Sequence, residues 1–215
     1  MIEHVIFDLD GTLTDPAMGI TNSVMYALHK MGEPVEPREA YYPWIGPSLI
    51  GSFMEFAGMS EERATEAVRC YREYFSVKGL FENEPYAGIE EVLLSLQKAG
   101  KGVYLATSKP EEFAVPILEH FGLSKYFTCI CGNTIANLRP EKEDVIRYLL
   151  SLYPCISPEN AVMVGDRKFD CLGAEKFGIK TIGVLYGYGT KEELTEAGAI
   201  SLAADTAALK KLLLE

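Results

Sequence analysis

Five short apolar runs, Ile2 to Phe7, Gly102 to Ala106, Phe127 to Cys131, Ala161 to Val164 and Lys180 to Leu185, each end at a polar or glycine signal and alternate with stretches of helical period. Runs this short and this apolar are buried on both faces, and their alternation with helices is the pattern of a parallel sheet with crossover connections. The helices are legible from their apolar spacing. Glu90 to Ala99 carries Val92, Leu93 and Leu96 and stops at Gly100, and Glu143 to Tyr153 carries Val145, Ile146, Leu149 and Leu150. Thr190 followed by Glu193 reads as a capping box that opens one more.

The expected fold class is therefore α/β, a Rossmann-like parallel sheet with flanking helices. One interval does not fit an ordinary crossover: roughly ninety residues separate the first strand from the second, far beyond the usual connection. The interval reads as helices, with Ile20 to Met31, a stretch after Pro47 carrying Leu49, Phe53 and Phe56, and Glu61 to Phe75 entered through Ser60. The spacing predicts a core over residues 1–15 and 84–215 and an inserted helical domain over 16–83, with linkers near Pro16 and at Asn83 to Gly88.

In open parallel sheets ligands sit beyond the carboxyl ends of the strands. The residues there are Asp8 and Asp10, then Thr107, Ser108 and Lys109, then Asp166 and Asp170 in V-G-D-R-K-F-D. Carboxylates gathered at one edge repel unless a cation sits among them, and an oxygen-only donor set without His or Cys favours magnesium over zinc. Such an ion also supplies the local positive field that an anionic substrate needs in a chain of net charge -11. That charge, with no Lys/Arg stripe, argues against nucleic acid polymers as partners. No apolar run is long enough to cross a bilayer, and the start Met1-Ile2-Glu3-His4 lacks the features of a signal peptide, so a cytoplasmic protein without membrane attachment is expected. Cys70, Cys129, Cys131, Cys155 and Cys171 are scattered, without CxxC pairs, and read as reduced thiols. His4, His29 and His120 are isolated and read as structural.

Taken together these residues resemble the haloacid dehalogenase superfamily of phosphatases. D-L-D-G-T is the first motif, Thr107 in L-A-T-S-K the second, a lysine near R-P-E-K the third and G-D-R-K-F-D the fourth. The likeness covers nearly the whole chain, the helical insertion corresponding to a cap domain. Within the superfamily the chain most resembles phosphoglycolate phosphatase-like proteins, on the insertion point and on Y-G-Y-G-T.

The resemblance implies a magnesium-dependent phosphomonoester hydrolase acting on a small phosphorylated metabolite. Asp8 would attack phosphorus to form an aspartyl-phosphate. Asp10 would protonate the leaving oxygen and then deprotonate water, which for a group titrating near ~3.9 requires desolvation. Thr107, with backbone N–H groups of Ser108 and Lys109, would hold the phosphoryl oxygens. Asp8, the Asp10 carbonyl, Asp166 and Asp170 would bind the metal. The third motif commonly has lysine directly before proline; here Arg139 precedes Pro140, so the charge-balancing role is given to Lys142 at the start of its helix, with Arg139 as the alternative. Trp44, Ile45 and Ser48 of the insertion are candidates to touch the leaving group, and Y-G-Y-G from Tyr186 to Gly189 reads as a connecting loop because it lacks the Walker spacing.

An acid at Asp10 points to phosphate esters, with 2-phosphoglycolate leading and nucleoside 5′-monophosphates, as for a 5′-nucleotidase, close behind. A sugar phosphomutase would use the same two carboxylates. A regulator that only binds a phosphate metabolite would be expected to lose one of them.

Overall fold

The computed structural model describes residues 2–215; Met1, at the head of the expected core segment, lies outside the described residues. The chain divides into two compact units, one made of the segment ending at Asp15 together with Pro85–Glu215, the other of Pro16–Glu84.

The first unit is built on a six-stranded sheet. Its strands are β1 (His4–Phe7), β4 (Gly102–Pro110), β5 (Cys129–Asn133), β6 (Ala161–Gly165), β7 (Lys180–Val184) and β8 (Ser201–Ala203), in the order β5-β4-β1-β6-β7-β8. Every neighbouring pair is parallel. Two-residue strands β2 (Thr14–Asp15) and β3 (Glu84–Pro85) pair separately where the chain leaves and re-enters this unit. The helices are α4 (Ile89–Lys98), α5 (Glu111–His120), α6 (Lys142–Leu152), α7 (Lys168–Glu175), α8 (Lys191–Glu196) and α9 (Thr206–Leu214).

The order places β1 in the interior of the sheet, where Val5, Ile6 and Phe7 are fully buried. Alternate residues face opposite sides. Ile6, Tyr104, Ala106, Cys131 and Met163 therefore share one cluster with Val145, Ile146 and Leu149 of α6 and Ala174 of α7. Burying each Val, Leu, Ile or Met side chain of this cluster contributes about 1.5–3 kcal/mol. His4 belongs to this packing, its Nδ1 lying 3.2 Å from the Tyr104 hydroxyl. Cys129 and Cys131 lie with their sulfurs 3.6 Å apart, and all five cysteines are free thiols. No helix among the described residues is long and apolar enough to cross a membrane.

Thr190 caps α8 by accepting from the Glu193 N–H at 3.1 Å. The box expected there is half made, because the Glu193 carboxylate accepts instead from Arg167 Nε at 2.9 Å and Lys168 N at 2.8 Å.

The second unit holds α1 (Ala17–Lys30), a 3-10 turn (Arg38–Trp44), α2 (Leu49–Ala57) and α3 (Glu61–Tyr74), the last running on through one π-helical turn at Phe75–Gly79. Apolar stripes explain its packing: Val24, Ala27 and Leu28 of α1 and Ala64, Ala67, Val68 and Tyr71 of α3 are buried. Trp44 is part of an aromatic cluster, with ring centroids 5.8 Å from Tyr41, 5.0 Å from Phe53 and 5.5 Å from Phe56. Ile45 is buried beside it, and the Ser48 hydroxyl caps α2 by accepting from the Gly51 N–H at 3.2 Å. Of the three residues expected to touch a leaving group, Trp44 and Ile45 are buried and Ser48 is an exposed helix cap.

Candidate active site

β1 stops at Phe7, and Asp8 follows with its N–H still donating to Val164 O at 2.9 Å. The chain then turns on itself: Gly11 N–H donates to Thr14 O at 2.8 Å and Leu13 N–H to Leu9 O at 2.8 Å. Gly11 takes φ +82°, and a Cβ there would run into the Asp166 carboxylate. Both facts demand glycine. The Thr12 hydroxyl leaves the turn to donate to Asp166 Oδ1 at 3.4 Å. Because β4 and β6 flank β1, the residues ending those strands converge on Asp8.

Lys142 is the first residue of α6, where a cation opposes the helix dipole; Glu143 and Asp144 beside it obey the usual rule. What holds the lysine there is the site. Its Nζ donates to Ala106 O at 3.0 Å and lies 2.8 Å from Asp8 Oδ1 and 2.9 Å from Asp170 Oδ1. Burial disfavours its charge, but the carboxylates of Asp170 and Asp8 outweigh that and raise its pKa. Its stem packs under α7: a Cβ on Gly173 would sit 2.8 Å from Lys142 Cγ. Arg139 is occupied elsewhere, with Nε on Gly132 O and Nη2 on Glu111, each at 2.7 Å, and its guanidinium 4.1 Å above the Tyr148 ring.

Asp8, Asp166 and Asp170 are all buried, and each offers a carboxylate oxygen within 4.8 Å of the others. Asp166 is oriented by the Tyr188 N–H, 2.8 Å from its Oδ2, and Asp170, in the first turn of α7, accepts the Arg167 N–H at 3.1 Å. Burial raises the Asp166 pKa well above its ordinary value, with repulsion from Asp170 and Asp8 adding to the shift. Burial likewise raises Asp170 to about 6, against the pull of Lys142. Asp8 Oδ1 and Asp170 Oδ1 are buried without an aligned hydrogen bond, although both lie at ion-pair distance from Lys142. Three clustered carboxylates, two of them paired with one ammonium, with oxygen donors only, fit a hard divalent cation.

A pH dependence follows. The metal-free folded chain holds a proton on Asp170 up to about pH 6 that the unfolded chain loses at about pH 4, so this group's contribution to stability falls as pH rises through that window, and the raised Asp166 acts in the same direction. A cation must displace those protons, so its stabilisation grows across the same window. Magnesium at about 100 times its dissociation constant should raise the melting temperature by roughly 5–10 °C at pH 8. At pH 5 the increment should be markedly smaller. Melting curves with magnesium or chelator at both pH values check this, and an equal or larger increment at pH 5 would contradict it.

Asp10 and Lys109 form a second, separate ion pair, Lys109 Nζ on Asp10 Oδ2. Burial raises the Asp10 pKa; Lys109 opposes the rise and Asp8 adds to it. Lys109 reaches Asp10 from an irregularity in β4: Thr107 pairs with Gly132 and Pro110 with the next residue, Asn133, leaving Ser108 and Lys109 unmatched. The buried Thr107 hydroxyl accepts the Lys109 N–H at 3.2 Å, and Ser108 is half-buried beside it. Sequence reasoning placed Lys109 at the site for its backbone N–H and missed its side chain.

It also missed the Tyr186–Gly189 loop. Besides the Tyr188 N–H on Asp166, the Tyr186 hydroxyl donates to Thr12 O at 3.1 Å and the Tyr188 hydroxyl to Asp15. Cβ atoms on Gly187 or Gly189 would collide with Gly11 O and the Asp166 backbone and side chain. Those glycines let a backbone lie directly on Asp166. The available signal was two glycines alternating with aromatics after a strand.

A parallel sheet whose strand ends, with the first turns of α6 and α7, gather three aspartates, a buried lysine and a threonine defines a phosphoryl-handling α/β enzyme. Residues 5–184 match the haloacid dehalogenase-like hydrolase family, and the chain belongs to it. It is 44% identical over 98% of its length to a 5'-nucleotidase of Pseudomonas aeruginosa, covering 95% of that protein. It is 41% identical over 86% of its length to the tyrosine-protein kinase PtkA of Mycobacterium tuberculosis, spanning 62% of that protein. Phosphoglycolate phosphatase 1 of Pseudomonas aeruginosa is 31% identical over 89% of this chain and 72% of its own. The crystal structure of a predicted phosphatase from Clostridium acetobutylicum superposes with TM-score 0.96 at 46% identity, over 100% of this chain and 99% of that one. The chain is thus a phosphatase of the haloacid dehalogenase superfamily, with the parallel α/β core that the strand pattern predicts.

Proposed function

We propose that this phosphatase is a magnesium-dependent phosphomonoesterase that works through an aspartyl-phosphate on Asp8 and hydrolyses nucleoside 5′-monophosphates in the cytoplasm. The observation that carries the mechanism is the placement of Asp8, with Lys142 at 2.8 Å and Asp166 and Asp170 within reach of one ion. Asp8, the Asp10 carbonyl, Asp166 and Asp170 hold the cation, which supplies charge neutralisation for the phosphoryl oxygens when bound. Asp8 attacks phosphorus, and Asp10 gives a proton to the leaving oxygen and later takes one from water. The Thr107 hydroxyl and the backbone N–H of Ser108 hold phosphoryl oxygens, the Lys109 N–H being engaged by the Thr107 hydroxyl, and Lys142 pairs with the nucleophile and orients it.

The choice of ester departs from the sequence expectation, which put 2-phosphoglycolate first. It rests on the relative named a 5'-nucleotidase being more similar, and over more of both chains, than the relative named a phosphoglycolate phosphatase. The test is initial rates of phosphate release with magnesium on nucleoside 5′-monophosphates, 2-phosphoglycolate, phosphotyrosine and sugar phosphates. A kcat/KM at least about tenfold higher for a nucleoside monophosphate is expected, about 1.4 kcal/mol of discrimination. A preference for 2-phosphoglycolate restores the first expectation, and conversion of a sugar phosphate to its isomer identifies a mutase.

A further inference from the structure

We propose that Lys109 is a positioning residue for the acid–base carboxylate: by binding Oδ2 of Asp10 it confines the exchangeable proton to Oδ1. The inference rests on the reading of Asp10 as the proton carrier.

A carboxyl group can carry its proton on either oxygen. An ammonium has three donors and no acceptor, so the oxygen facing Lys109 Nζ has no use for a proton of its own. The other oxygen, Oδ1, is buried and accepts no hydrogen bond. A buried polar atom without a partner is costly and is retained where function uses it. The pair is itself enclosed, with the Lys109 side chain 6% and the Asp10 side chain 14% exposed.

The backbone is built for this contact. In a regular strand Thr107 and Lys109 would point to one face. The two unmatched residues of β4 break that alternation, and bulges beside sites re-aim side chains. Gly132, opposite the bulge, has no room for a Cβ, which would strike the Lys109 carbonyl. The two lysines of the site thus divide the work: Lys142 serves the nucleophile and Lys109 the proton carrier.

In the first displacement the bond from Asp8 to phosphorus forms as the ester P–O bond breaks, and the electron pair on the leaving oxygen takes the proton from Asp10 Oδ1. In the second, water oxygen bonds phosphorus, the Asp8–phosphorus bond breaks to restore the carboxylate, and the water proton goes to Oδ1. An alkoxide leaving group needs that first proton; a nitrophenolate does not.

The test is single-turnover leaving-group release, enzyme in excess with magnesium, from the best alkyl phosphate of the panel and from p-nitrophenyl phosphate. Lys109→Met should slow the alkyl ester by about 100-fold and the nitrophenyl ester by less than about tenfold. On an Asp10→Asn background Lys109→Met should slow the alkyl ester no further. Equal slowing of both esters by Lys109→Met, or an added loss on the Asp10→Asn background, would overturn the proposal. Equal slowing of both esters by Asp10→Asn alone would instead overturn the acid role of Asp10. Lys109→Gln, similar in length and uncharged, gives the same readouts if the Met variant does not fold.

Discussion

Asp8→Asn is expected to lower phosphate release from every ester by at least about 10⁴-fold while leaving the chain folded. The amide matches the carboxylate in shape, and it keeps an oxygen for Lys142, which retains Asp170 at 2.9 Å. What it loses is the anionic nucleophile, and no other carboxylate can replace it: Asp10 is held by Lys109 and Asp166 by Tyr188 and Thr12. Melting curves and initial rates check both halves. A variant that keeps a tenth of wild-type activity would remove Asp8 from the chemistry.

Lys142→Met is the second large effect, and it should appear in stability as well as rate. The ammonium is buried between Asp8 and Asp170, and removing it leaves those charges without their counterion. Breaking a buried pair in this way costs about 3–5 kcal/mol, or a fall of roughly 6–20 °C in melting temperature. Magnesium should restore part of the loss, because the cation supplies the missing positive charge to the same carboxylates, while activity should stay at least about 100-fold down. Arg139→Met, which removes a guanidinium bound to Gly132 and Glu111, should leave the magnesium response unchanged. A Lys142→Met protein as stable as wild type in chelator would contradict the charge balance described for the site.

The parts of this molecule legible in its sequence are those set by local pattern. The strands show as apolar runs because a parallel sheet is buried on both faces, and Asp8, Thr107 and Asp166 follow from them because ligands collect at the carboxyl ends. Elements with weaker patterns were unreadable. β8 is three residues long, and α5 carries Pro116 inside it, a residue that argues against a helix. Trp44 looked available because it lies among Pro and Gly; burial among Tyr41, Phe53 and Phe56 is a tertiary fact. The same limit hid the side chain of Lys109, which needs the bulge in β4, and the glycines of the Tyr186–Gly189 loop, which answer to the approach of a backbone to Asp166. Lys142 was half legible: a lysine opening a helix against its dipole signals a distant carboxylate but does not name Asp8 and Asp170.

The central claim is that two displacements occur at phosphorus, the first by Asp8. The direct measurement is the stereochemical outcome with a substrate whose phosphoryl group is made chiral by oxygen isotopes and sulfur, hydrolysed in isotopically labelled water. Two in-line displacements each invert phosphorus, so net retention is the predicted result. Net inversion would mean a single attack by water and would contradict the aspartyl-phosphate account.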